Sequence, residues 1–193
     1  MTSSQATAPR RGRRWVRGLA VELGFMAAIG VLGALVLLPL HWGLAVLELA
    51  LTAISPLWMM LRVCPHCTVH GSEACPSGFG VISERLAGRR DTALFAQAFA
   101  HNVYGVMPMW FLPVAGAALM AWRGIGVPLV PLALFVLLAF VATPLRARLV
   151  HCKRCPRRGD CPWALRTMGP PPGRTNGSAA GREGAAIPRE GAR

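Results

Sequence analysis

Four long apolar runs limit what this chain can fold into: about Val16–Leu40, Trp42–Leu61, Thr92–Trp122 and Val127–Leu145. Each can cross the roughly 30 Å of bilayer hydrocarbon, where a segment must satisfy its own backbone hydrogen bonds, so each is predicted to be a transmembrane helix. The first part of the third run is expected at the interface or against protein. Composition agrees, since hydrophobic residues make up 53% of the 193 and charged residues 15%, too little charge to cover a soluble domain. Pro39-Leu40-His41-Trp42-Gly43 and Trp122-Arg123-Gly124 read as tight turns between neighbouring spans.

The formal net charge is +13. With four spans, the N-terminus, the 62–91 loop and the C-terminus share one side of the membrane. That side holds 20 of the 21 Lys and Arg residues, and Arg123 alone lies opposite. Basic residues flanking spans are retained in the cytoplasm, which predicts a multi-pass protein of the inner (cytoplasmic) membrane with both termini cytoplasmic. A basic chain also suits nucleic acid, but these arginines flank apolar spans and form no helix face interleaved with aromatics, so no nucleic-acid partner is expected. Arg10-Arg11-Gly12-Arg13-Arg14 resembles the start of an export signal, yet the run after it is too long and lacks a cleavage site. A retained span is predicted.

The second feature is a repeated pattern. Ser55-Pro56-Leu57, Leu61, Cys64, Cys67, Gly71 and Cys75-Pro76 match Thr143-Pro144-Leu145, Leu149, Cys152, Cys155, Gly159 and Cys161-Pro162, residue for residue up to the glycine. All six cysteines fall inside the pattern, which implies an internal duplication. The predicted fold is an all-α membrane protein of four transmembrane helices, arranged as two repeated hairpins, each followed by a cytoplasmic Cys-rich loop. Residues 1–15 form a disordered basic arm, 16–80 the first hairpin with its loop and 81–103 an amphipathic connection centred on Val81–Asp91. Residues 104–163 form the second hairpin with its loop, and 164–193 a Gly/Pro/Arg-rich tail, disordered by composition. Two halves of equal topology are related by an axis along the membrane normal, which would bring the loops side by side.

Cytoplasmic thiols stay reduced, so a structural disulfide set is disfavoured. Cys-x2-Cys puts two sulfurs within reach of one metal, and the Cys-Pro raises each loop to three. The predicted metal ligands are Cys64, Cys67 and Cys75 with His70, and Cys152, Cys155 and Cys161 with His151; His66, inside the turn, is an alternative. Gly71 and Gly159 can supply a turn that other residues resist. Three uses of the thiols remain open: iron–sulfur clusters, which favour thiolate shells, zinc, which accepts four thiolates or three with an imidazole, and redox-active thiols. Lys153, Arg154, Arg157 and Arg158 would favour thiolate in the second loop. The Cys-Pro endings resemble those of bacterial-type ferredoxins, which would imply an iron–sulfur cofactor. The resemblance covers only these endings, because the third cysteine stands eight positions after Cys67 and six after Cys155 and each loop lacks a fourth.

Carboxylates within spans are costly and mark candidate sites. Glu22 lies near the cytoplasmic end beside Arg17, whereas Glu48 is deep. His41 and Glu48 are seven apart, and Gln97, His101 and Tyr104 stack with Asn102 beside them. These groups suggest a proton path or a quinone headgroup pocket, against the plainer reading that they pack helices together. His41 and His101 lie toward opposite membrane faces, which argues against b-type haem. Trp42, Trp58, Trp122 and Trp163 suit an aromatic belt, and Met59, Met60, Met107 and Met109 suit packing.

The expectation is therefore an integral membrane metal-binding protein carrying electrons through iron–sulfur clusters at the cytoplasmic face. The alternatives are a zinc-stabilised membrane scaffold that docks a partner, and a membrane thiol-redox protein. The expected partners are the lipid bilayer and a redox or membrane protein.

Overall fold

A computed structural model describes residues 12–153, 155 and 164–165, and among them there is helix and no strand. In chain order the helices are α1 (Gly12–Leu37), α2 (Trp42–Arg62), α3 (Phe79–Leu86), α4 (Phe95–Val103), α5 (Pro108–Trp122), α6 (Leu129–Val136) and the short α7 (Thr143–Arg146). Four helical stretches are long and apolar enough to cross a membrane: Trp15–Leu37, Trp42–His66, Thr92–Trp122 and Leu129–Val150. The described residues are all-helical, and four such spans make this a multi-pass membrane protein whose apolar outer faces suit contact with lipid.

The turns form where the sequence places them. The carbonyl of Leu37 accepts from the N–H groups of Leu40 and His41, ending α1, and His41 then caps α2 by accepting the Gly43 N–H on Nδ1 at 3.0 Å. At the other short turn α5 stops on Gly124, with φ 68°. The Gly124 N–H bonds to the Ala121 carbonyl, and the Ile125 N–H to the Met120 carbonyl. This pair of bonds satisfies carbonyls that a helix C-terminus leaves open.

Two spans depart from uninterrupted α-helix. The third breaks into α4 and α5 across a single 3-10 turn, Tyr104–Val106, and Pro108 sits at the first turn of α5, where a missing N–H costs nothing. The fourth is longer than the apolar run suggests. After α6 it continues as π-helix over Leu137–Ala142, through α7, and again as π-helix over Ala147–Cys152. Pro144 cannot donate to the preceding turn, and the widened turns absorb it without breaking the helix. The predicted amphipathic segment Val81–Asp91 is helical only in α3, up to Leu86.

α1 is the central helix and packs against α2, α5 and α6. Ile29 of α1 is buried with Phe135 and Ala139 of the fourth span, and Val36 of α1 with Ala117 and Met120 of α5. Lipid gives apolar helices no hydrophobic reason to associate, so close backbone approach has to hold the bundle. Gly30 and Gly33 of α1 provide it: a Cβ on Gly30 would come within 2.7 Å of Thr52, and one on Gly33 within 2.8 Å of Glu48. The outward face of α2 carries Val46, Leu47, Leu49, Ile54 and Leu57, all exposed. Its buried residues are Ala45, Glu48, Thr52, Ser55 and Met60, so polar side chains occupy three of the five inward positions.

Candidate metal-binding loop

α2 ends at Arg62, and the chain then winds through successive tight turns. The N–H groups of Cys67, His70, Cys75 and Gly78 bond to the carbonyls of Cys64, Cys67, Ser72 and Cys75 respectively. Pro65 favours the first of these by fixing its φ. Gly71 has φ 75°, and its N–H donates to the Gly80 carbonyl at 3.1 Å. A Cβ on Gly71 would lie 2.6 Å from the carboxyl carbon of Glu84, whose exposed side chain can swing aside, so it is the backbone conformation that demands glycine.

The loop is fastened on two sides. Ser83 of α3, fully buried, donates its hydroxyl to the Met60 carbonyl at 2.6 Å and so closes one of the open carbonyls at the end of α2. On the other side the Arg90 N–H reaches the Pro65 carbonyl at 3.0 Å, and Arg89 Nη2 reaches the Thr68 carbonyl at 3.1 Å. His66 Nδ1 donates to the Asp91 carbonyl at 2.7 Å. His66 is thereby engaged in holding the Cys-x2-Cys turn.

The turn bonds from Cys67 to Cys64 and from Cys75 to Ser72, with the Gly71–Gly80 bond across them, place the three cysteines of the first loop within one short, closed segment. Cys75 Sγ accepts the Gly80 N–H from the first turn of α3 at 3.4 Å and lies 3.4 Å from Ser77 Oγ. His70 is buried, and its Nε2 has no hydrogen-bond partner. A buried imidazole nitrogen left without a partner costs free energy unless something occupies it. Three thiols and such a nitrogen in one loop are the donor chemistry of a thiolate–imidazole metal shell. Among the described residues, no three His, Cys, Asp or Glu side chains already stand at metal-binding distances. Zinc–sulfur bonds of about 2.3 Å would require the turns to close further on the ion.

In the second loop Cys152 is buried at the end of the π-helical stretch, and Cys155 is half-buried. Cys161, Arg154, Arg157, Arg158, Gly159 and Trp163 lie outside the described residues, as does the side chain of His151. No disulfide joins any two of the described cysteines.

The polar residues of the spans separate into local and long-range cases. His101 Nδ1 donates to the Gln97 carbonyl at 2.9 Å and Asn102 Nδ2 to the Ala98 carbonyl at 2.8 Å, so both serve their own helix. Glu22 pairs with Arg146 at 2.8 Å, a partner on the fourth span that the reading beside Arg17 missed. Arg146 also lies over the Phe25 ring, 5.2 Å from its centre. Its place directly after Thr143-Pro144-Leu145 was the available clue. Comparison of the chain with family models, curated proteins and solved structures gives no match.

Proposed function

We propose that this is a multi-pass inner-membrane protein whose cytoplasmic loops bind metal through cysteine thiolates, and that it transfers electrons through iron–sulfur clusters held there. The observation that carries the metal reading is the buried, unpartnered His70 Nε2 in the loop that also carries Cys64, Cys67 and Cys75. Cys152, Cys155 and Cys161, with His151, form the corresponding set. Both termini are cytoplasmic, because 20 of 21 basic residues then lie on the retained side.

The two-hairpin repeat gains support from the residue before each proline. The Ser55 hydroxyl donates to the Leu51 carbonyl at 2.7 Å, and the Thr143 hydroxyl to the Leu138 carbonyl at 2.9 Å. The paired Ser/Thr-Pro steps thus make the same kind of backbone bond within their helices.

When bound, a cluster supplies a site that gains and loses single electrons. The chain's part is to hold and tune it. Gly71 admits the turn, Ser83 and the 89–91 segment fix the loop on α2, and the Gly80 N–H offsets negative charge on Cys75 Sγ. The chain shows no second redox-cofactor motif, so a redox partner at the same membrane face completes the function.

A zinc clasp is the second reading, favoured by His70, since three thiolates and an imidazole form a complete structural zinc shell. Metal and acid-labile sulfide content of anaerobically purified protein separates the two. Iron with sulfide, and visible absorption that bleaches on reduction, supports electron transfer. Zinc alone makes the loops clasps, and protein free of stoichiometric metal refutes both readings.

A further inference from the structure

Glu48 is 0% exposed, at the junction of α1, α2 and α5, and neither carboxyl oxygen has a hydrogen-bond partner. The space it fills is made for it. Gly33 of α1 leaves out a Cβ that would sit 2.8 Å from Oε1 and 2.9 Å from Pro113 Cγ of α5. Among the described residues no cation answers the carboxyl. α5 contains no titratable residue, and the nearest on α1 is Glu22, eleven positions before Gly33. α3 meets α2 at Met60, and α4 brings His101 beside His66 toward that same end. His41 caps the opposite end of α2. An ionised carboxylate buried without a partner is several kcal/mol less stable than a paired one, so the occupant that fits here is a proton.

A route leads away from this site along α2. Thr52 and Ser55 follow at i+4 and i+7 on the same buried face, and their hydroxyls donate to the Glu48 and Leu51 carbonyls, which leaves the oxygens as acceptors. Pro56 has no N–H to offer the Thr52 carbonyl, so that group too can bind water. A groove of about 370 Å³ between α1 and α2, open outward past the exposed Leu23, Val31 and Leu49 and floored by Gly30, Thr52 and Pro56, reaches this point one turn from Glu48. A water there has two polar partners on Thr52 alone, the minimum that an ordered buried water needs.

We propose that Glu48 is a proton-binding site inside the bundle, loaded and unloaded through Thr52 and Ser55 toward the end of α2 that carries the cysteine loop. Exchange replaces one proton on the carboxyl with another from water, so no net charge stays behind. The site stands independently of what the loops bind.

Infrared spectroscopy of the protein in lipid vesicles at neutral pH tests this. The expected result is a carboxylic-acid C=O band that is missing in Glu48→Gln, shifts within minutes of transfer to deuterated water, and shifts severalfold more slowly in Thr52→Val. Absence of the band means an ionised carboxylate and overturns the proposal. A band that does not shift over a day means a sealed structural group and also overturns it, and an unchanged rate in Thr52→Val overturns the route. Should Glu48→Gln misfold, carbodiimide treatment of the unaltered protein replaces it: an adduct mapped to Glu48 by mass spectrometry supports a protonated, reachable carboxyl, and no adduct counts against it.

Discussion

Replacing Gly33 by alanine tests the idea that absent side chains hold this bundle together. The new Cβ would meet Glu48 Oε1 at 2.8 Å and Pro113 Cγ at 2.9 Å, about 0.5–0.6 Å inside the 3.4 Å at which ordinary contact begins. Pro113 is fully buried within α5 and moves only with that helix, so the clash must be relieved by shifting a helix or displacing the Glu48 carboxyl. Overpacking of this size costs about 1–3 kcal/mol. Gly24, on the same helix with nothing within 4 Å of its would-be Cβ, is the control. Alanine there is expected to be neutral or stabilising, by up to about 1 kcal/mol, because it is the better helix former. Unfolding free energies by steric trapping in bicelles give both values. Pairing Gly33→Ala with Glu48→Ala completes the cycle, since removing the carboxyl takes away the closer obstacle. The alanine at 33 should then cost less by at least about 0.5 kcal/mol, as contacting residues couple. If Gly33→Ala behaves like Gly24→Ala, or its cost is the same with and without Glu48, the close-approach argument is wrong.

Two further substitutions address the loop. Gly71→Ala sets a Cβ at φ 75° against the Glu84 carboxyl, so it should destabilise the loop by about 1–2 kcal/mol from backbone conformation alone and lower metal loading in purified protein. Ser83→Ala strands the Met60 carbonyl at a cost of about 1–3 kcal/mol, and it should speed alkylation of Cys64 and Cys75 in metal-free protein. Unchanged alkylation would show that α3 does not fasten the loop.

The spans and both tight turns were legible because their signals are local: an apolar run of sufficient length, and a proline or glycine where one helix must stop and the next begin. The left-handed turn at Gly71 was legible for the same reason. The helical continuation to Cys152 was not, because Pro144 reads as a break until the π-helical turns around it are seen. Partner choice also escaped the sequence. Arg17 is the nearer cation to Glu22 along the chain, yet packing of the fourth span against α1 delivers Arg146. Ser83 carries no mark that it closes the end of α2, since that contact exists only once α3 folds back. Of the candidate ligands, the first loop's three cysteines lie on successive turns of one short loop, while His70 stands out through its burial, which spacing alone does not reveal.

The pairing of Glu22 with Arg146 has a consequence for how the chain is made. Glu22 lies on the first of these four spans, and Arg146 on the fourth, which leaves the ribosome later. Their contact can form only after all four of these spans have been threaded, and it then ties the fourth back to the first. Synthesis therefore passes through a stage in which the opening segment is in place and this closure is still missing. An assembly of the first three spans alone lacks this pair and the packing of Ile29 against Phe135 and Ala139, a difference a quality-control protease could read.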